Sequence, residues 1–218
     1  MPAAAFEALR SRYQAVALDV GTGDGRFVAE YAREHPDWLV VGLDPVADNL
    51  REVSGRLSRP RTRLENALFV LGSAERMPDE LGASCQRIFV TLPWGSLMIG
   101  LIQGENQELA GIASVAAPEA RLRIILNSRI YEEPVPKEAQ GLPDLSPEYV
   151  RDVLAPRYRE HGIRLAESRF LLPEEVVSLP TSWARRLSHR QPPPSFLIEA
   201  VVREETGSRS SASSSVLG

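Results

Sequence analysis

Leu18-Asp19-Val20-Gly21-Thr22-Gly23-Asp24-Gly25-Arg26-Phe27 is the stretch whose reading decides the fold. Ahead of its aspartate, Val16-Ala17-Leu18 is a short apolar burst that reads as a buried strand. Behind the glycines, Phe27, Tyr31 and Ala32 recur at helical spacing. Strand, glycine-rich turn and helix is the layout that presents a nucleotide-like ligand at the carboxyl end of a strand. Glycine suits such a turn because the backbone must bend tightly and approach the ligand with no Cβ between them. The spacing D-x-G-x-G-x-G is shorter by one residue between its last two glycines than the G-x-G-x-x-G of dinucleotide binders. That difference, and the lack of a His or Tyr-x-x-x-Lys hydride constellation, argue against a nicotinamide enzyme.

Working outward, a second apolar run, Trp38 to Asp44, ends in an acid about 20 residues beyond the glycine loop, where doubly wound sheets place a carboxylate against ribose hydroxyls. Asp44 is therefore the first candidate cofactor residue, and a helix-capping role ahead of Pro45 is compatible with it. Asp19 either holds the loop backbone or faces a ligand ammonium. Glu75, in Gly72-Ser73-Ala74-Glu75-Arg76-Met77-Pro78, follows a third strand at 67–71, where an adenine amine would be read. An exposed loop acid is the plainer reading of the same residue.

Further strands are expected at 88–92, 122–126, 164–172 and 195–202. Helices are expected at 3–13, 25–34, 45–57, 97–116 and 146–160, the last with Ser146 as cap and Pro147 in the first turn. Strands alternating with helices imply a mostly parallel sheet of seven strands with helices on both faces, an α/β Rossmann-like fold. A single domain over 1–205 is expected, with 1–14 as an N-terminal extension and 173–194 as an irregular, proline-containing linker on the substrate side. The Ser-rich 206–218 reads as a disordered tail.

Composition bounds the rest. The 218 residues are 43% hydrophobic and 25% charged, with a net charge of −4, which argues against coating nucleic acid by charge alone. One cysteine and three scattered histidines offer neither a disulfide framework nor metal-ligand spacing, so no metal is expected. No apolar run reaches membrane-spanning length, and a cytoplasmic protein follows as the expectation. Against the acidic background stand two arginine clusters, Arg51, Arg56, Arg59, Arg61 and Arg63 before the third strand, and Arg185, Arg186 and Arg190, with His189, before the last. On loops these suit phosphate contacts. Trp94, in Thr91-Leu92-Pro93-Trp94-Gly95, and Trp183, in Thr181-Ser182-Trp183-Ala184-Arg185-Arg186-Leu187, can clamp a flipped purine from both faces. The plain alternative for each is a core tryptophan, which is the better reading of Trp38.

The glycine loop resembles motif I of the class I S-adenosylmethionine-dependent methyltransferases. With Leu43-Asp44-Pro45, Ala74-Glu75-Arg76-Met77-Pro78, Leu92-Pro93-Trp94-Gly95-Ser96-Leu97, Leu154-Ala155-Pro156-Arg157-Tyr158 and Thr181-Ser182-Trp183-Ala184-Arg185-Arg186-Leu187, the chain resembles the aminoglycoside-resistance methyltransferases that modify N1 of adenosine 1408 in 16S rRNA. The resemblance spans about 16–202. It implies that Asp19, Gly21, Thr22, Gly23, Asp44, Ala74, Glu75, Leu92, Pro93 and Trp94 bind S-adenosylmethionine, with Thr181 and Ser182 closing the pocket. It implies that Trp94 and Trp183 stack the target adenine. Arg56, Arg59, Arg61, Arg63, Arg185, Arg186 and Arg190 would hold 16S rRNA in the assembled 30S subunit, with the enzyme acting as a monomer. Two departures stand out: the basic connection is interrupted by Pro60 and Thr62, and the distal arginine is only loosely matched by Arg190. Neutral adenine N1 carries a lone pair, so no general base is expected before attack, and the task is one of positioning. The readings weighed against this one are a tRNA (guanine-N7) methyltransferase, a small-molecule methyltransferase, and a non-catalytic cofactor-binding RNA module.

Overall fold

The computed structural model describes residues 3–127, 139–180 and 194–202. Its first strand, β1 (Ala15–Val20), shows why the sheet is covered on both sides. Val16, Leu18 and Val20 point into one core and Ala17 into another, as the two-residue period of a strand requires. Helices α2 (Arg26–Glu34) and α3 (Ala47–Leu57) cover the Ala17 side, through Val28, Tyr31, Ala32 and Val53. Helices α4 (Gly95–Gln103) and α5 (Asn106–Val115) cover the other, through Met98, Leu101, Ile102, Leu109 and Ile112. The N-terminal helix α1 (Ala3–Arg10) joins that second core through Phe6.

Strands β2 (Trp38–Asp44), β3 (Ala67–Leu71), β4 (Cys85–Thr91), β5 (Ala116–Leu126), β6 (Ile163–Phe170) and β7 (Phe196–Val202) complete a seven-stranded sheet of order 3-2-1-4-5-7-6. Strands β1 to β5 pair in parallel and β7 runs antiparallel between β5 and β6. The order reverses between β1 and β4, so a crevice opens at their carboxyl ends, where doubly wound sheets bind ligands. The expected mixed sheet is thus found.

Several expected boundaries are corrected. The helix expected over 97–116 is two, because Gly104 takes a left-handed conformation (φ +68°) and ends α4. Strand β4 starts at Cys85 and stops before Leu92, and β5 starts at Ala116, both longer at the N-terminal side than their apolar cores suggest. The helix expected over 146–160 runs as α6 (Pro147–Tyr149), a π-helical turn (Val150–Leu154) and α7 (Ala155–Arg159). Pro156 has no N–H to give to the turn before it and its ring crowds that turn, which accounts for the widened spacing. Ser146 accepts from the Tyr149 N–H at 3.1 Å, the expected cap. The linker expected to be irregular from 173 onward begins with a short helix, α8 (Pro173–Val177).

The carboxyl end of α4 leaves carbonyls that its own turns cannot satisfy. Side chains from the 146–159 stretch take them up. The Tyr158 hydroxyl, wholly buried, donates to Leu101 O at 3.1 Å, Tyr149 donates to Ile102 O at 2.9 Å, and Arg157 donates to Gln103 O. No helix among the described residues is long and apolar enough to cross a membrane.

Candidate functional site

The glycine loop between β1 and α2 places Gly21, Gly23 and Gly25 at φ +79°, +54° and +66°. A Cβ at Gly25 would lie 2.5 Å from Val53 Cγ2 and 2.8 Å from Phe69 Cε1, so that glycine lets the loop pack closely against α3 and β3. At Gly23 nothing lies within 4 Å of the place a Cβ would take, which leaves room for a ligand to come close to the loop there.

Asp44 fastens this loop. Its Oδ2 accepts from the Gly23 N–H at 2.8 Å, and its Oδ1 accepts from the Val46 N–H at 2.9 Å and Asn49 Nδ2 at 3.3 Å. A carboxylate offers about four acceptor positions, so one remains for a ligand hydroxyl. Pro45 and Val46 lie outside α3, so Asp44 holds the turn into the helix rather than capping the helix itself.

Asp19 is buried at the end of β1, 3% exposed. Burial is the main force pushing its carboxyl up to about 7, and the acids Asp44 and Asp24 push it the same way. The Thr22 hydroxyl beside it opposes the shift more than either acid adds to it, but burial prevails, and the buried Thr22 Oγ1 has no hydrogen-bond partner of normal geometry. A floor of acids with an unpartnered hydroxyl beside it calls for a polar, cationic occupant. S-adenosylmethionine, with its ammonium and sulfonium, meets that demand.

These residues line a cavity of about 500 Å³ that also takes in Ala74, Glu75, Leu92, Pro93 and Trp94. All ten of the pocket residues expected before position 181 therefore converge. Leu92 sits at φ +50°, a conformation costing a non-glycine residue roughly 1–3 kcal/mol. Its side chain is pinned against Ile125 and Leu197, and its N–H donates to Ile125 O at 2.8 Å. This turn throws Pro93 and Trp94 out of the sheet, and Trp94, 39% exposed, stands on the cavity rim. The core alternative for Trp94 is thereby set aside. Trp38 instead packs edge-on against Tyr31, with the Arg87 guanidinium 5.5 Å from its ring.

The first arginine cluster divides. Arg59 and Arg61 are exposed, Arg63 pairs with Glu65 at 3.1 Å, and Arg56 donates to the Asp24 carbonyl at 2.9 Å, bracing the glycine loop. Thr181, Ser182, Trp183, Arg185, Arg186 and Arg190, and the 206–218 tail, lie outside the described residues.

Three residues of the site were missed in the sequence: Gly100, Glu108 and Gly111. Helix α5 rests on the loop that carries Ala74 and Glu75 so closely that a Cβ at Gly111 would overlap the Ala74 carbonyl oxygen. One turn earlier, Glu108 is 7% exposed and reaches Glu75. A Cβ at Gly100 would overlap the Glu108 carboxyl. The available signal was an acid and a glycine at i and i+3 on the helix face that also carries the apolar Leu109 and Ile112.

A 3-2-1-4-5-7-6 sheet with an antiparallel seventh strand, opening on a glycine loop clamped by an acid at the end of β2, is the architecture of class I S-adenosylmethionine-dependent methyltransferases. The family model of 16S rRNA (adenine(1408)-N(1))-methyltransferases matches residues 1–202. The chain belongs to that family. A relative of that name from Streptoalloteichus tenebrarius is 40% identical over 186 residues, covering 84% of this chain and 85% of the relative. Another from Escherichia coli is 32% identical over 184 residues, covering 81% and 82%. A crystal structure of the Catenulisporales acidiphilia enzyme, a tryptophan-to-alanine mutant with cosubstrate S-adenosylmethionine, superposes with a TM-score of 0.87 at 31% identity, covering 95% of this chain and 94% of that one.

Proposed function

We propose that this chain transfers the methyl group of S-adenosylmethionine to N1 of adenosine 1408 of 16S rRNA in the assembled 30S subunit, in the cytoplasm, and so confers aminoglycoside resistance. The observation that carries the reading is Trp94, an exposed aromatic on the rim of the cofactor cavity, raised there by the left-handed turn at Leu92. An indole in that position stacks a base brought out of its helix beside the cofactor.

S-adenosylmethionine supplies an electrophilic methyl group. The chain's residues do the rest by placement. Asp44 offers its remaining acceptor position to a ribose hydroxyl, Gly23 leaves room for the ligand beside the loop, and Glu75 accepts from the adenine amine. The Asp19 carboxyl faces the methionine ammonium. Trp94 supports one face of the target purine, and Trp183 is assigned to the other. Adenine N1 needs no base to become nucleophilic, so orientation is the dominant contribution. Arg59 and Arg61, exposed in the connection after α3, and the 185–190 arginines supply phosphate contacts.

The test is methyl transfer from tritiated cofactor to intact 30S subunits, free 16S rRNA and bulk tRNA, with primer extension on the product. A stop at adenosine 1408 with assembled 30S alone is the expected result, and label in tRNA or in no RNA would overturn it. Trp94→Ala is expected to lower turnover on the order of 10- to 100-fold, as loss of one stacking contact implies. Cofactor affinity, measured by calorimetry, should stay within a few-fold.

A further inference from the structure

The carboxyl of buried Glu108 lies against that of half-buried Glu75, beneath the loop assigned to the adenine. Two carboxylates in contact disfavour each other's charge, and a proton on one lets it donate to the other. Several features decide which. Glu75 lines the cofactor cavity, with the hydroxyls of Ser73 and Ser96 against it, and these favour its charged form. Glu108 is packed into the notch left by Gly100 and is the more deeply enclosed. The charged groups facing Glu108 are Glu75 from the loop and Glu105 from the start of its own helix, both acids. Burial and these acids push the Glu108 carboxyl up, and its neighbours hold that of Glu75 down.

We infer that Glu108 is a positioning residue for cofactor recognition: as a neutral acid it donates a hydrogen bond to the Glu75 carboxylate and aims it at the amine edge of the adenine. Gly111, pressed against the Ala74 carbonyl on the same face of α5, sets the height of the loop, and Glu108 sets the direction of its acid. Gly100 is the space that lets Glu108 reach. This rests on Glu75 being the adenine contact, as proposed above. It assigns a role to α5, which touches no part of the cofactor cavity itself.

The test is calorimetric titration of S-adenosylmethionine into the full-length protein and four variants between pH 5 and pH 9. Glu108→Gln keeps shape and a donor and is expected to bind within about twofold of wild type at low pH. Glu108→Ala loses the donor and is expected to bind roughly tenfold more weakly, as loss of a hydrogen bond to a charged group implies. Gly100→Ala displaces the carboxyl and should resemble Glu108→Ala. As pH rises, Glu108 ionises in the wild type and repels Glu75, whereas glutamine cannot. The ratio of wild-type to Glu108→Gln dissociation constants should therefore grow with pH, and taking the ratio removes titrations common to both proteins. A constant ratio, or glutamine binding as weakly as alanine, overturns the inference. Should Glu108→Ala not fold, the glutamine ratio still decides. The fourth variant, Glu75→Ala, separates the two readings: normal binding there overturns the adenine contact itself, while lost binding with a flat ratio overturns only the role of Glu108.

Discussion

A carboxyl held near 7 at the floor of a cofactor cavity has consequences that run in opposite directions with and without ligand. The folded Asp19 binds its proton more tightly than the unfolded chain does, so its contribution to stability is present at low pH and is lost as pH rises from about 4 to about 7. In the proposed role, facing an ammonium, the same carboxyl must be charged, so cofactor binding is expected to expel the proton. Affinity for S-adenosylmethionine is therefore expected to increase between about pH 6 and pH 8 in the wild type. Asp19→Asn should lack that increase, bind more weakly at pH 8, and, free of cofactor, melt at a higher temperature than wild type at pH 8. Calorimetry and thermal denaturation across that range check both halves, and an unchanged melting temperature would count against the buried charge. Asp44 was legible in the sequence because its chemistry depends on its place at the end of a strand. Glu108 was not, because its meaning comes from Glu75, far away along the chain, and from a missing Cβ on a third element.

At the scale of elements, α5 is a helix whose fit is set by what it lacks. Alanine at Gly111 would favour an isolated helix by about 1 kcal/mol over glycine. Here it would drive into the Ala74 carbonyl, and backbone does not yield as a side-chain tip would. Overpacking of this kind costs roughly 1–3 kcal/mol, so the collision outweighs the propensity. Gly111→Ala is expected to lower the melting temperature and to weaken cofactor binding by displacing the adenine loop. Melting and calorimetric titration measure the two effects. Strands β1, β2 and β3 could be read to within a residue because each is a near-continuous apolar run ended by an acid, a glycine or a turn. Strand β4 could not, since Gln86 and Arg87 interrupt its pattern. Arg87 belongs there because its guanidinium lies over Trp38 and donates to the Tyr31 hydroxyl at 3.4 Å. The division of α4 from α5 was passed over although Gln103-Gly104-Glu105-Asn106-Gln107-Glu108 interrupts the apolar pattern, and the left-handed conformation of Gly104 makes the stop explicit.

Across the whole molecule, an acidic chain proposed to engage a polyanion must do so through arginines that its own acids and carbonyls leave exposed. Arg59 and Arg61 stand exposed, while Arg56 and Arg63 are engaged within the protein. Replacing both Arg59 and Arg61 by alanine is expected to weaken 30S binding and to flatten the dependence of log affinity on log salt by about 1–2, while cofactor affinity stays unchanged. Filter binding at several ionic strengths reads the slope. The mostly parallel seven-stranded sheet was legible from alternation and from the paired closing strands, because a crossover that carries a helix joins parallel strands; the order of the strands comes from the structure. Which arginines remain available was not, since that depends on partners distant in sequence. The tyrosines that close the far end of α4 bear on this larger geometry too. Trp94 rides at the opposite end of that helix, about 13 Å away at the usual helical rise. A rod of that length pivoting by about 5° sweeps its tip through about 1 Å, enough to spoil the alignment of a reacting atom. The two phenol hydroxyls act as a bearing that fixes the angle of the rod, so the angular tolerance of the reaction is set at the end of α4 remote from Trp94.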